Sequence, residues 1–156
     1  MSTQENRTKL KLIAPDLRDG KEFPRSPRAK LGGYVLAARA VDKIRADILG
    51  QIGDYDTNCP LDKIWLEFAE IDYSALRAVV ETGASDEEVA AWIDKNARQR
   101  PRQEIVVWNN RQRDARLSDL PPELQEKMED YIEEVVPRNR IVYRFFDIYD
   151  LEEERL

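Results

Sequence analysis

The sequence predicts an all-α protein, a single-domain bundle of about six helices with an extended N-terminal arm. Three observations carry that expectation. The stretch Ser26 to Gly50, SPRAKLGGYVLAARAVDKIRADILG, reads as one long helix. At about 100° per residue its Leu31, Tyr34, Val35, Ala38, Val41 and Leu49 share a face. Ser85-Asp-Glu-Glu88 has the spacing of a capping box, a specific helix start. Finally, 156 residues that are 42% hydrophobic suffice for one core and suggest one domain.

Taken in order, residues 1–13 read as a polar, flexible tail, and 14–156 as the folded domain. The weak alternation of TKLKLIA also permits a short strand or an extended arm. In APDLRDGKEFPRSPR, Asp19-Gly20 signals a turn, and Pro24 and Pro27 keep the chain extended. Ser26 is placed to cap the long helix, Pro27 suits its first position, and Gly50 suits its end. Beyond it, Leu61, Ile64, Trp65 and Phe68 have helical spacing, with Pro60 at the first position and Cys59 as N-cap. Asp72 caps YSALRAVVE, which Gly83 closes, and the capping box opens EEVAAWIDKNA, so the two read as a helical hairpin. Pro101 separates a further helix carrying Ile105 and Trp108. Ser118-Asp-Leu-Pro-Pro starts another, carrying Leu124, Met128, Tyr131, Ile132 and Val135, with Pro137 after its end. Asn139 is placed to cap a last helix through Val142, Phe145, Phe146 and Tyr149, although the β-branched and aromatic content also permits a strand.

The long helix carries charges that packing does not require. Asp42 and Arg45 fall on its apolar face and Arg39 lies at the edge. A buried charge is costly unless paired and hydrogen-bonded, and Asp42 and Arg45 are three apart, within reach of each other. They read either as a salt-bridge network tying this helix to the N-terminal segment or as a polar pocket inside the bundle. Gly32 and Gly33 weaken a helix, and make sense where another backbone or a ligand packs closely. Upstream, Arg18, Lys21, Arg25 and Arg28 surround Phe23. They form either an anion site beside a helix N-terminus or a loop whose arginines pair with Asp16, Asp19, Glu22 or Asp42.

Composition excludes several chemistries. The chain has no histidine and one cysteine, which removes the commonest general base and the usual zinc, haem and iron–sulfur ligand sets. No EF-hand or phosphate-loop spacing occurs, so neither a metal nor a cofactor is expected. No apolar run is long enough to span a membrane, and the first residues lack the apolar core of a secretory signal. A single cysteine forbids an internal disulfide and fits a reducing cytoplasm. The net charge is −6, distributed as +5 over residues 1–50 and −7 over residues 119–156. An acidic whole argues against nucleic acid, despite the arginine-rich stretch Arg98–Arg116. The opposite ends would attract each other within one molecule or between two.

The series DLRDGKEFPRSPRAKLGGY, then ARAVDKIRA, NCPLD and GASDEEVAAWI, resembles a family of small bacterial proteins designated domain of unknown function 5069. The resemblance covers residues 14–96 closely and the C-terminal third loosely. It implies a small bacterial cytosolic protein and no particular activity. Its motif residues are Asp16, Arg18, Asp19, Arg25, Arg28, Arg39, Asp42, Cys59, Pro60 and Asp62.

Two functional expectations compete. The first is a non-catalytic helical protein that binds a protein partner, a second copy of itself or an anionic small molecule, using Arg18, Arg25, Arg28, Arg39, Asp42, Arg45 and Asp62. The second is a thiol-dependent enzyme or redox sensor with Cys59 as nucleophile. A thiol at a helix N-terminus meets unpaired N–H groups and the positive end of the dipole, both of which stabilise thiolate. Without histidine, its activation must come from lysine, arginine or the helix end. A weaker third reading is carboxylate-based acid–base or magnesium chemistry using Asp42, Asp54, Asp56 and Asp62.

Overall fold

The computed structural model describes residues 3–156, so Met1 and Ser2 of the expected tail lie outside the described residues. The protein is mostly helical. Among the described residues there are eight α-helices, against the six or so expected, and one two-stranded sheet. No helix among them is long and apolar enough to cross a membrane. The chain divides into two compact units, residues 1–101 and 102–156.

The first unit is built on helix α2 (Ala37–Ile48), in which every residue from Ala37 to Ala46 is buried. The expected start at Ser26 is corrected. Residues 30–35 form a tight antiparallel hairpin, β1 (Lys30–Leu31) and β2 (Tyr34–Val35), paired Lys30 with Val35 and Leu31 with Tyr34. The cause is Gly32-Gly33, with φ of 62° and 90°. Two successive residues in the left-handed region are what a type I′ hairpin turn demands and what a helix forbids. Close approach also selects Gly32, where a Cβ would lie 3.1 Å from Ile93 Cγ2. Ser26 serves a turn instead, accepting from the Arg28 and Ala29 amides at 3.1 and 2.9 Å. At the other end Gly50 closes α2 as expected, with the Gly50 N–H on Asp47 O and the Gln51 N–H on Ala46 O, a Schellman arrangement.

Residues 3–13 contain no extended arm. They form helix α1 (Thr3–Ile13), whose Leu10 is fully buried. It packs so closely on Gly83 that a Cβ there would lie 2.8 Å from Lys9 Cβ, and Arg7 donates to the Ile48 carbonyl at the end of α2. Helix α3 (Pro60–Ala69) starts at Cys59, as the Cys-Pro step predicts. Helix α4 (Tyr73–Glu81) is capped by Asp72, which accepts from the Ala75 amide. Helix α5 (Asp86–Asn96) opens with the predicted capping box, both reciprocal bonds of Ser85 and Glu88 being present. Trp65, Leu76, Val80, Val89 and Ile93 join α2 among the buried side chains of this unit.

The second unit holds α6 (Arg102–Asp114), a 3₁₀ turn at Leu117–Asp119, α7 (Pro122–Val135) and α8 (Phe145–Glu152). The last helix starts at Phe145 rather than beside Asn139. Ahead of it Arg144 pairs with Arg116 in an isolated antiparallel bridge, and the Leu117 N–H donates to Tyr143 O. The β-branched and aromatic run Ile141–Tyr143 thus takes the non-helical option its composition permits. Trp108, Met128, Phe145, Phe146, Ile148 and Leu151 are the buried apolar side chains of this unit.

Candidate functional site

From Ala37 to Ala46 helix α2 is buried on all sides, so each charged side chain in that stretch needs a partner brought by another element. Two clusters result, supplied by the adjacent residues Asp42 and Lys43.

The Asp42 cluster joins four side chains. Arg25 donates to Asp42 through its backbone N–H, Nε and Nη2 at 2.9–3.0 Å, and to Asp86 through Nη1 and Nη2 at 2.8 and 3.2 Å. Arg45 donates to Asp86 at 2.9 Å and to the Ala84 carbonyl at 3.0 Å, and stands 4.0 Å from Asp42. Burial alone would lower the Arg25 pKa, but the bonds to Asp42 and Asp86 outweigh it and hold the guanidinium charged. Burial likewise raises Asp86, and the bonds from Arg25 and Arg45 overcome this and leave its carboxyl below the usual range. A cleft of about 540 Å³ borders the cluster, with Leu12, Ile13 and Pro15 on its apolar side. Its charged lining, Arg25 and Arg45 against Glu22, Asp42, Asp86 and Glu87, is acidic in balance.

The Lys43 cluster is smaller. Lys43 Nζ lies 2.9 Å from Asp62 Oδ1 and donates to Cys59 Sγ at 3.3 Å. Lys43 and Asp62 are almost fully buried, at 3% and 2% exposure, whereas Cys59 is partly exposed. Cys59 is the N-cap of α3 but its sulfur makes no capping hydrogen bond. Asp62 sits in the first turn of that helix and is directed to Lys43.

The loop that delivers Cys59 is pinned along its length. Leu17 N donates to Gln51 O, and Gln51 Nε2 donates to Pro15 O. Gly53 lies so close to the Leu17 carbonyl that a Cβ would be 2.4 Å from its oxygen. Tyr73 OH donates to Thr57 Oγ1 at 2.7 Å, and Arg77 bonds both Tyr73 and Asp47. Asn58 takes a left-handed φ of 52°, which turns the chain into the extended N-cap at Cys59.

The residues expected to act together are therefore divided. Arg25, Asp42 and Arg45 meet in one cluster, and Cys59 and Asp62 in the other. Arg39 donates to the Arg25 carbonyl and lies 5.6 Å over the Tyr55 ring. Arg18 forms an exposed pair with Asp16 at 2.7 Å, and the backbone N–H of Arg28 belongs to the turn at Ser26. Asp54 and Asp56 are exposed in the loop before Cys59. Two members, Lys43 and Asp86, are absent from the sequence-based set. Asp86 stands among the acidic residues that commonly occupy a first helical turn. Lys43 lies one residue from Asp42 and four from Arg39, a signal that becomes informative once α2 is known to have no solvated face.

No curated protein matches this chain. The family described as domain of unknown function, DUF5069, matches residues 21–155, including the C-terminal third, and the chain belongs to that family.

Proposed function

We propose that this protein is a thiol-based redox sensor acting through Cys59. The observation that supports it is the Lys43 ammonium 3.3 Å from Sγ, at the N-terminus of α3. An ammonium held against sulfur at a helix N-terminus is the electropositive setting in which reactive cysteines occur, and peroxides oxidise such cysteines to sulfenic acid. Asp62 holds the ammonium there, while Cys59 itself remains within reach of solvent. With one cysteine and no histidine, the chain lacks both a resolving thiol and an imidazole base. Stoichiometric sensing fits that inventory better than turnover. The reading places the protein in a bacterial cytoplasm, where small thiols restore the reduced form.

The test is the rate of Cys59 alkylation by iodoacetamide at pH 7. The folded chain is expected to react faster than the unfolded one by about threefold to tenfold, the scale of a surface charge–dipole effect. Lys43→Met combined with Asp62→Leu, which leaves no unpaired buried charge, should reduce the difference to the part the helix N-terminus supplies. A folded thiol that reacts no faster than the unfolded control overturns the reading.

A second reading, a protein-interaction module, is supported by Ile141 and Tyr143, which are 77% and 57% exposed on one short segment. Sedimentation of the wild type and of Ile141→Ser tests it. A dimer that dissociates on substitution supports it, and a monomer in both cases removes self-association.

A further inference from the structure

An oxidised Cys59 has no second thiol in the chain to resolve it. We infer that Lys43 is the resolving group, and that oxidation of Cys59 is trapped as a reversible sulfur–nitrogen link, a sulfenamide, between Cys59 Sγ and Lys43 Nζ. This rests on the reading of Cys59 as an oxidisable thiol and adds what happens to the oxidised sulfur.

The geometry is specific to these two atoms. Lys43 Nζ already touches Sγ at 3.3 Å. It projects from the part of α2 that is buried on every side, so the amine has no solvated alternative position. Cys59 is the N-cap of α3 and Asp62 lies in its first turn, so the sulfur and the carboxylate come from the same end of one helix. Cys59 is partly exposed, whereas Lys43 is only 3% exposed. An oxidised sulfur therefore has a nitrogen nucleophile held against it. Sulfenic acids condense with a thiol to a disulfide or with a backbone nitrogen to a sulfenamide, and here the nitrogen beside the sulfur is the Lys43 amine.

The chemistry balances in two steps. The Cys59 thiolate attacks one oxygen of a hydroperoxide. A sulfur–oxygen bond forms, the oxygen–oxygen bond breaks, and the leaving alkoxide, or hydroxide when the oxidant is hydrogen peroxide, takes up the proton the thiol gave up and departs as alcohol or water. Sulfur loses two electrons and the peroxide gains them. Lys43 then passes a proton to Asp62, 2.9 Å away. The freed lone pair attacks sulfur, the nitrogen–sulfur bond forms, the sulfur–oxygen bond breaks, and the departing hydroxide takes up the proton as water. The second amine proton is lost to solvent, the one net proton released as the Lys43 ammonium becomes a neutral sulfenamide nitrogen. Relative to thiol and amine, the linked protein has lost two hydrogens. One small thiol reopens the link to a mixed disulfide and free Lys43, and a second releases Cys59 as the thiol with a small-molecule disulfide.

The experiment is intact-mass and non-reducing peptide mass spectrometry of the full chain, treated with hydrogen peroxide in the presence and absence of dimedone. The expected result is a mass lower by two hydrogens, with the Lys43 and Cys59 peptides joined, and full reversal by dithiothreitol. The link should be lost when the same treatment is applied in guanidinium. Lys43→Arg keeps a cation opposite Asp62 and should lose the link while retaining dimedone capture at Cys59. Capture of a sulfenic acid at wild-type Cys59 that proceeds to sulfinic acid with no link overturns the resolving role and leaves the sensor standing. Absence of any oxidation at Cys59 overturns both.

Discussion

Asp42 and Lys43 are neighbours on one buried helix, yet the clusters they anchor are organised differently. Around Asp42, two guanidinium groups and two carboxylates exchange several hydrogen bonds, and charge is balanced within the cluster. Around Lys43, one ammonium faces one carboxylate and, in addition, a thiol. The first cluster joins the 22–28 segment, α2 and the start of α5, and contains no nucleophile. The second joins only α2 to the first turn of α3, and its third member is the sole redox-active side chain of its type in the chain. Charge density alone therefore does not mark a reactive site. A charge positioned against a nucleophile does.

That contrast is broken most strongly by removing one half of the Lys43–Asp62 pair. Asp62→Ala leaves an ammonium in a site with 3% exposure, and the expected loss is about 3–5 kcal/mol in urea unfolding. The double variant Lys43→Met, Asp62→Leu should recover most of that, because well-packed apolar residues replace a buried pair at little cost. If the double variant is stable but Cys59 alkylates as fast as in the wild type, the pair is structural only.

The next effect comes from the other cluster. Asp42→Ala removes the acceptor of three Arg25 donors, and about 2 kcal/mol is expected because hydrogen bonds to charged groups are the stronger kind. The alkylation rate of Cys59 should not change, since Asp62, not Asp42, holds Lys43. A parallel fall in rate would mean that the two clusters are coupled through α2 and the distinction drawn between them is too sharp.

The parts of this design legible in the sequence are those encoded within a few residues. The Ser85–Glu88 box, the Asp72 cap, the Cys59-Pro60 start and the Gly50 stop each depend on neighbours inside one turn, and each forms as read. The hairpin at 30–35 was hidden because Leu31 and Tyr34 share a face in both structures. Three residues apart they align on a helix, and across a two-residue turn they are cross-strand partners. Only Gly32-Gly33 discriminates, and it admits a packing explanation as well. Helix α1 was hidden for a different reason. Its sequence is polar, and its partners are distant in the chain: Leu10 is fully buried, Arg7 bonds the Ile48 carbonyl, and Lys9 and Asn6 lie against Gly83, some 75 residues away. The candidate site was half legible: Cys59 and Asp62 follow from the helix start, but Lys43 is identified only by the all-round burial of α2.

The loop carrying Cys59 offers a smaller perturbation. Gly53→Ala would set a Cβ 2.4 Å from the Leu17 carbonyl oxygen at a φ of 63°. It should cost about 1–3 kcal/mol and displace the loop, reducing the Lys43-dependent part of the alkylation rate. Gly33→Ala, at a φ of 90° with nothing within 4 Å, should cost about 1 kcal/mol and leave the thiol unaffected. Equal effects of the two on reactivity would mean that the rate follows global stability rather than the seating of the loop.

The mildest test uses pH. The Asp86 carboxyl is held below its ordinary range, by the bonds from Arg25 and Arg45 that overcome the opposing effect of burial. A depressed folded value means the folded state binds the proton less readily than the unfolded chain. The contribution of Asp86 is therefore fully present above the unfolded value of about 3.9, and it is lost as pH falls through the lower folded value. Asp86→Asn should unfold at lower urea than the wild type by a constant margin from pH 7 to about 5. That margin should shrink in more acidic solution. Because Asp86 is 38% exposed, solvent screens the pair and the margin should be modest. Cys59 reactivity should follow the wild type throughout, since Lys43 is held by Asp62 rather than by Asp86. A margin that stays constant into strong acid would assign the effect of the substitution to packing at the start of α5 rather than to its charge.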